Sequence, residues 1–268
     1  MTDHLDKSFW GLVEESVLQR IVVVSPHFDD AALGVAHVLG TYPKSTVVTV
    51  MAGWPPSYPD EPTDWDACGG FVAGDDVVAA RRQEDVAALE VFDASHIWLE
   101  VPDHQYLTKA QRQKPAEVAP AIKDAIEQVG PTAVFFPMGI ANPDHVLTHD
   151  ACLIARSDLE ARAGTGKSDK SSAPEWFCYE DHGYKHIPGL LAWRVAKLFK
   201  AGLWPTPSIV PIKPDMALKR RAIHCYKSQI GPLERDHALS ERLDGNVPEQ
   251  YWRIAPPPEG WEALADSI

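Results

Sequence analysis

Short apolar runs alternate with helical segments along the first 180 residues, and this alternation constrains the fold more than any other feature of the sequence. The run Ile21–Val24, for example, is short and β-branched, and it ends at Ser25 and Pro26, which predicts a fully buried strand. Strands separated by helices predict a mostly parallel sheet with right-handed crossovers and helices on both faces. We therefore expect a doubly wound, Rossmann-like α/β fold. The five predicted strands are Ile21–Val24, Thr46–Val50, Ile97–Leu99, Ala133–Phe136 and Trp176–Tyr179.

The segments between these strands predict the remaining elements. Residues 53–75 are rich in Pro and Gly and predict a long loop, and residues 164–173 predict a polar, flexible segment. The length of 268 residues suits a single domain over 1–268, with a core at about 20–230 and a C-terminal extension at 231–268. The predicted helices are Ala31–Leu39, Val77–Phe92, Glu117–Val129, His145–Ala161, Leu190–Phe199 and Pro214–Tyr226, and Ser208–Ile212 is predicted to be extended.

Two polar turns follow the first and fourth predicted strands. They are Pro26–Asp30 and Asn142–His145, and they contain most of the clustered His and Asp residues of the chain. In doubly wound sheets, sites form outside the carboxyl ends of the strands, at the point where the strand order reverses. The first and fourth strands are neighbours at that point. The sequence therefore predicts one site built from both turns.

The first turn carries residues suited to a metal ion. His27 and Asp30 are three residues apart on a tight turn, so both side chains can face one point, and imidazole and carboxylate are ordinary zinc ligands. Asp29 would point elsewhere yet stay close, where a carboxylate can accept a proton from water. The alternative is that Asp29 and Asp30 only cap the following helix, as aspartates often do.

The second turn offers the remote ligand that an open catalytic site requires. His145 stands at a predicted helix start beside Asp144, which could orient it. His149 lies one helical turn further on and could also face the site. The alternative is that His145 is an ordinary histidine of a surface loop.

These residues match the motifs of a known family. The chain resembles the PIG-L/LmbE family of zinc-dependent N-acetylglucosaminyl deacetylases, in ordered motifs over about residues 20–230. The first and fourth motifs are the more specific ones. In chain order, the matching segments are Pro26-His27-Phe28-Asp29-Asp30, Arg81-Arg82-Gln83-Glu84, Val101-Pro102-Asp103, Asn142-Pro143-Asp144-His145, Tyr179-Glu180-Asp181 and Tyr226-Lys227-Ser228-Gln229.

The resemblance implies a role for each matched site residue. His27, Asp30 and His145 would bind Zn²⁺. Asp29 would be the general base that activates the water attacking an amide carbonyl, and Asp144 would support the catalytic centre. Arg81 would orient Asp29 or contact the substrate, and Asp103 would also belong to the substrate-binding residues.

The chain departs from the family pattern at a catalytic position. The family usually has His where this chain has Asn142, and that His is thought to stabilise the oxyanion or to protonate the leaving amine. An Asn side chain can donate a hydrogen bond to an oxyanion, but it has no proton to deliver near neutral pH. Asp29 could act as base and then as acid, and His182 or His186 are candidates for the missing donor. Gly183 also replaces a usual Pro.

Two other functional classes compete with a hydrolase. The first is a homologue that binds zinc and sugar but has lost or altered catalysis, because Asn142 replaces the usual His. The second is a nucleotide-binding α/β domain. The first strand turn lacks the Gly-rich phosphate motifs and places two carboxylates where a phosphate would bind, which disfavours that class.

The composition of the chain indicates which classes of binding partner to expect. The formal net charge is −13 and the 25 basic residues form no cluster along the chain, so neither nucleic acid nor an anionic membrane is an expected partner. The four Cys form no C-x-x-C pair, which argues against a cysteine-based zinc site. The acidic start Met1–Asp6 does not resemble a signal peptide, so we expect a cytoplasmic protein. The expected partner is a small amino-sugar or glycoconjugate substrate, and homo-oligomerisation stays open.

Overall fold

A seven-stranded sheet forms the centre of the protein. The computed structural model describes residues 11–165 and 173–256. The strands are β1 (Ile21–Ser25), β2 (Thr46–Thr49), β3 (Ser95–Trp98), β4 (Ala133–Pro137), β5 (Glu175–Tyr179), β6 (Pro205–Ser208) and β7 (Tyr251–Ile254). Their order is β3-β2-β1-β4-β5-β7-β6. β1 to β5 are parallel, whereas β7 pairs antiparallel with both β5 and β6. This mostly parallel sheet confirms the predicted fold class.

The strand order reverses between β1 and β4. Val23 pairs with Val47 of β2 on one side and with Phe135 of β4 on the other. All five residues of β1 and all five of β4 are buried, as continuous apolar runs in a sheet covered on both faces predict. The turns that follow β1 and β4 therefore lie side by side at the carboxyl edge of the sheet, as the sequence predicts.

Helices cover both faces of the sheet. One apolar cluster includes Ala31, Leu39 and Leu89, and the cluster on the other face includes Ile122 and Ala151. No helix in the described part of the chain is long and apolar enough to cross a membrane. The α-helices are α1 (Asp30–Gly34), α2 (Ala36–Thr41), α3 (Asp64–Cys68), α4 (Val77–Val91), α5 (Pro115–Val129), α6 (Pro143–Thr165), α7 (Leu190–Lys200), α8 (Met216–Ile223), α9 (Lys227–His237) and α10 (Leu239–Asp244).

Several elements differ from the sequence prediction. The predicted helix 31–39 is divided into α1 and α2, because Val35 leaves helical geometry at φ −136° and ψ 15°. The predicted loop 53–75 contains α3, and the predicted helix 214–226 ends at Ile223, after which α9 begins. The predicted extended segment 208–212 shares only Ser208 with β6, and its other residues come after that strand. Most of the polar segment 164–173 lies outside the described residues.

The C-terminal segment contributes to the sheet, because β7 lies between β5 and β6. A buried ion pair anchors the approach to β7: Lys219 Nζ donates to Glu249 Oε1 at 2.7 Å and to the carbonyl oxygen of Leu33 at 2.7 Å. The other oxygen of Glu249 accepts from the Tyr251 hydroxyl at 2.5 Å and from the His37 backbone N–H at 3.0 Å. Each charge of this pair is thus offset by hydrogen bonds, which buried ions need.

Candidate metal centre and catalytic cavity

The turn after β1 is fixed by short local hydrogen bonds. Ser25 Oγ donates to the carbonyl oxygen of His27 at 2.6 Å and accepts from the backbone N–H of Ala31 at 3.0 Å. Asp30 Oδ2 accepts from the backbone N–H of His27 at 2.9 Å. Asp29 occupies the position before α1 but makes no capping hydrogen bond to it. The two aspartates therefore face the site, which disfavours the helix-capping alternative for Asp29.

Three donor atoms converge beside this turn. Asp30 Oδ2 lies 3.2 Å from His27 Nδ1 and 3.3 Å from His145 Nε2. His27, Asp30 and His145 each offer one ligand atom within 4.8 Å of those of the other two, a spacing that suits ligands of one metal ion. Two imidazoles and one carboxylate are the donor set of many catalytic zinc sites. The chemistry of the three residues therefore fits zinc.

A second group of donors shares His27 and consists of His27, Asp103 and Asp144. It offers one imidazole and two carboxylates, a harder set of ligands than the first. Burial alone would lower the pKa of His27, but hydrogen bonds to Asp144 and Asp30 raise this pKa well above its usual value. These carboxylates favour positive charge at His27. The same environment favours a bound cation.

Each imidazole of the first group is oriented by a further carboxylate. Asp144 Oδ2 lies 3.2 Å from His27 Nε2, and Asp181 Oδ1 lies 2.5 Å from His145 Nδ1. Asp181 is fully buried, and its other oxygen accepts from the backbone N–H of Ile140 at 3.0 Å. A carboxylate behind an imidazole fixes the ring and directs its free nitrogen towards a metal. Both histidines thus present one nitrogen to Asp30.

Asp29 lines the cavity beside the three donor atoms and is 7% exposed. Burial, and then the neighbouring charge of Asp30, raise the pKa of Asp29 to about 6. A carboxylate with a pKa near the working pH is suited to accept a proton from water. The position and the environment of Asp29 suit the predicted role of general base, which stays a prediction.

Asn142 bridges two walls of the cavity. Its Oδ1 accepts from the backbone N–H of Asp144 at 2.8 Å, at the start of α6. Its Nδ2 donates to the Tyr184 hydroxyl at 3.1 Å. The amide therefore holds Tyr184 in place. One of the two N–H bonds of the Asn142 amide makes this hydrogen bond.

The predicted substrate-binding residues Arg81 and Asp103 both line the cavity. Arg81 Nη2 donates to Asp66 Oδ1 at 2.6 Å, so its direct partner is Asp66 instead of Asp29. The other oxygen of Asp66 accepts from the Tyr106 hydroxyl at 2.8 Å. Asp103 accepts from the backbone and the side-chain amide of Gln105, at 2.9 and 2.8 Å. Both charged groups are therefore held by fixed partners at the cavity wall.

The cavity has a volume of about 300 Å³ and includes residues that the sequence patterns did not single out. His104 lies directly against Asp144 Oδ1, and His237 comes from the end of α9, far along the chain. Neither histidine belongs to a recognisable motif, so only the fold brings them to the site. The candidate donors His182 and His186 do not line the cavity. Its apolar wall consists of Phe28, Leu33, Met51, Trp65, Val78 and Leu233.

His149 does not face the cavity. It is fully buried on α6, and its Nδ1 donates to the carbonyl oxygen of Pro137 at 2.8 Å. Burial, and then the charge of Arg194, lower the pKa of His149 to about 3. The native protein therefore holds this imidazole neutral, whereas in the unfolded chain it would take up a proton below about pH 6.5.

We expect acid to destabilise the protein partly through His149. Because the pKa is lower in the folded state, the stabilisation is complete above about pH 6.5 and is lost as the pH falls towards about 3. Urea unfolding between pH 7.5 and 4.5 should show a shallower loss of stability in His149→Gln than in the wild type. The exposed His224→Gln is the control. Identical slopes for His149→Gln and wild type would contradict this account.

Comparisons with known proteins identify the family and the fold of the chain. The family model described as GlcNAc-PI de-N-acetylase (PIG-L) matches residues 22–155, which is half of the chain. No curated protein sequence matches. A deacetylase triple mutant from the teicoplanin biosynthetic pathway is 25% identical, with 90% of this chain and 100% of that chain covered and a TM-score of 0.67.

Two further solved structures share the fold. The A40926 pseudoaglycone deacetylase Dbv21 is 24% identical, with 90% of this chain and 98% of that chain covered and a TM-score of 0.66. The zinc-inhibited form of the teicoplanin deacetylase Orf2 is also 24% identical, with 90% and 100% covered and a TM-score of 0.64. The matched segment contains β1 to β4 and both turns of the site. The chain belongs to the PIG-L (GlcNAc-PI de-N-acetylase) family and is homologous to deacetylases of the amidohydrolase class.

Proposed function

We propose that the protein is a zinc-dependent hydrolase that removes an N-acyl group, most simply N-acetyl, from an amino sugar or a glycoconjugate. One observation carries the proposal: His27 Nδ1, Asp30 Oδ2 and His145 Nε2 converge beside Asp29, a carboxylate that makes no capping bond. Three protein ligands with a neighbouring base are the arrangement of a hydrolytic zinc site. The family assignment and the deacetylases among the similar structures support the same reaction class.

Zinc at this site would supply Lewis acidity, which polarises an acyl carbonyl and lowers the pKa of water towards about 7. Asp29 would accept the proton of the attacking water. Asp144 and Asp181 would hold the imidazoles of His27 and His145 in their ligand orientation. Asn142 would keep Tyr184 against the substrate and could donate its second N–H to the developing oxyanion.

The cavity suits a small polar molecule with an apolar side. Its volume of about 300 Å³ is at the lower end of ordinary ligand pockets. Arg81 and Asp103 provide charge on one wall, and Trp65 and Leu233 provide apolar surface on another. A sugar ring has hydroxyl groups at its rim and C–H faces that pack on aromatic rings. These two kinds of wall support an amino sugar as the group that carries the acyl amide.

Metal analysis combined with a deacetylation screen tests the proposal. We expect about one zinc per chain after purification, and release of a primary amine from at least one N-acetylglucosamine conjugate. The screen should include free N-acetylglucosamine, a nucleotide sugar and a glycopeptide. Bound zinc without hydrolysis of any conjugate would favour a binding homologue instead. Hydrolysis that is undiminished after metal removal would contradict the zinc mechanism.

A further inference from the structure

Amide hydrolysis needs a proton at the nitrogen of the leaving amine. An alkylamide anion is too basic to leave, so the nitrogen must be protonated as the C–N bond breaks. The Asn142 amide faces this cavity but has no proton to give near neutral pH. Asp29 could return the proton that it takes from water, but the same carboxylate would then have to reach both the attacking water and the leaving nitrogen. If the proposed hydrolysis is correct, a separate acid beside the nitrogen removes that requirement.

Four histidines among the described residues line the cavity: His27, His104, His145 and His237. His27 and His145 each direct a nitrogen to the metal donors. Both ring nitrogens of His104 are buried, and its Nδ1 lies against Asp144. This leaves His237, whose side chain is partly exposed at the cavity wall. By elimination, it is the imidazole that a substrate can reach.

The ring of Tyr184 contacts both His237 and His145, which is one of the metal donors. The Tyr184 ring packs edge-on against His145, with centroids 5.2 Å apart, and edge-on against His237, with centroids 5.1 Å apart. Trp65 flanks His237 on another side at 6.2 Å. His145 and His237 both line the same cavity. A substrate whose acyl carbonyl lies at the metal donors would therefore have its amine in the cavity that His237 borders.

Gly183 makes room for this imidazole. A Cβ atom at position 183 would come within 3.1 Å of His237 Nδ1 and 3.3 Å of its Cε1. Gly183 does not have a positive φ angle, so its backbone would accept another residue. What a side chain would disturb is the His237 ring. Glycine at position 183 therefore leaves the room that the His237 ring occupies.

The charges around His237 come from three helices. Burial lowers the pKa of His237, and Arg242 of α10 lowers it further, whereas Asp236 of α9 and Asp30 of α1 raise it. The net effect is a pKa below that of a free imidazole, which makes the protonated ring of His237 a stronger acid. A hydrogen bond with the backbone of Gly183 also raises this pKa, and the uncharged Tyr184 and Trp65 rings pack against the imidazole.

We infer that His237 is the general acid of this site. In the protonated form, one ring N–H of His237 donates its proton to the amine nitrogen as the C–N bond breaks and the electron pair moves to that nitrogen. The water oxygen forms the new C–O bond, and the water proton goes to Asp29. These steps give a neutral amine and a carboxylic acid, which still carries the second proton of the water. That proton passes to the amine through solvent, so the products are a carboxylate and a protonated amine, while His237 regains a proton from solvent and Asp29 loses one.

The leaving group tests this role. The zinc-loaded variant His237→Gln should hydrolyse N-acetylglucosamine, free or in the conjugate that the wild type hydrolyses best, with a kcat about 10²-fold below that of the wild type. This factor is the lower range for loss of a proton donor. With p-nitrophenyl acetate the change should stay within about threefold, because p-nitrophenolate leaves without a proton. His186→Gln, an exposed histidine off the cavity, is the control. Zinc content and thermal unfolding midpoints verify that each variant is intact.

A second variant tests the pairing with Gly183. Gly183→Ala should displace the imidazole and lower kcat for N-acetylglucosamine without changing kcat for p-nitrophenyl acetate. In the double variant Gly183→Ala/His237→Gln, the loss should not exceed that of His237→Gln alone, because both changes remove one interaction. If the factor by which kcat falls in the double variant is the product of the two single-variant factors, Gly183 acts elsewhere and the pairing is contradicted.

The outcomes separate this inference from the proposed function. Equal losses on amide and ester, or a change in KM alone, would show that His237 positions the substrate and would overturn its role as acid. An unchanged kcat for the amide would overturn it as well. A wild type that hydrolyses neither substrate nor any conjugate would overturn the proposed function, and this inference with it.

Discussion

Replacing Asp29 by Asn should lower kcat for the hydrolysed amide by about 10³-fold and leave the zinc content unchanged. Asn has nearly the same shape as Asp, so the turn after β1 should keep its hydrogen bonds, none of which uses the Asp29 side chain. What is lost is the only carboxylate of that turn that does not contact a histidine. Steady-state kinetics together with metal analysis of the same preparation measure both quantities.

The exposed Asp60→Asn in the loop before α3 is the matched control for the same chemical change. It should match the wild type in activity and in zinc content. If Asp29→Asn hydrolyses the amide at the wild-type rate, Asp29 is not the base. If this variant loses zinc as well as activity, Asp29 acts on the metal site instead of on water.

Two variants, one at His145 and one at its partner Asp181, should weaken zinc binding by different amounts. His145→Ala removes a donor atom, so the purified variant should hold no stoichiometric zinc after dialysis. Asp181→Asn keeps the donor but weakens the 2.5 Å contact that orients the ring, which should reduce zinc affinity about 10- to 100-fold. Competition with a chromophoric chelator measures the zinc affinity of both variants.

His149→Gln is the control for this series, because His149 lies one turn further along α6 and outside the cavity. Its zinc affinity should equal that of the wild type. An affinity of Asp181→Asn equal to wild type would mean that Asp181 only holds Ile140. Full zinc binding by His145→Ala would point to the donors His27, Asp103 and Asp144 as the metal site.

The location of the site could be predicted from the sequence because it depends on strand order. Alternating strands and helices imply the reversal between β1 and β4, and that reversal brings Asp30 within 3.3 Å of His145 across 115 residues of sequence. The structure places the three predicted metal ligands and the predicted catalytic and substrate-binding residues around one cavity, whereas the further candidates His149, His182 and His186 lie outside it. Their roles in binding and catalysis stay predictions, which the variants above test.

Other parts of the site could not be predicted, because their positions depend on packing. His237 reaches the cavity through the direction of α9, and nothing in its neighbouring residues indicates a ligand contact. Asp181 was visible only as part of a family motif, and its contact with His145 depends on the end of β5. β6 was missed because Pro205 and Pro207 are poor strand residues, which only an edge strand accepts.

The position of β7 between β5 and β6 has a consequence for the order in which the newly made chain can fold. Among the strands that the structure describes, β6 pairs with β7 alone, so it has no such partner until residues 251–254 have been synthesised. Asp181 is made 70 residues before Tyr251. At about 5–20 residues per second, this interval lasts roughly 4 to 14 seconds. During that time β5 exposes an unpaired edge, to which other nascent chains can add, while the metal donors are already complete. A metal ion bound at these donors during translation should therefore favour the native parallel half of the sheet over aggregation.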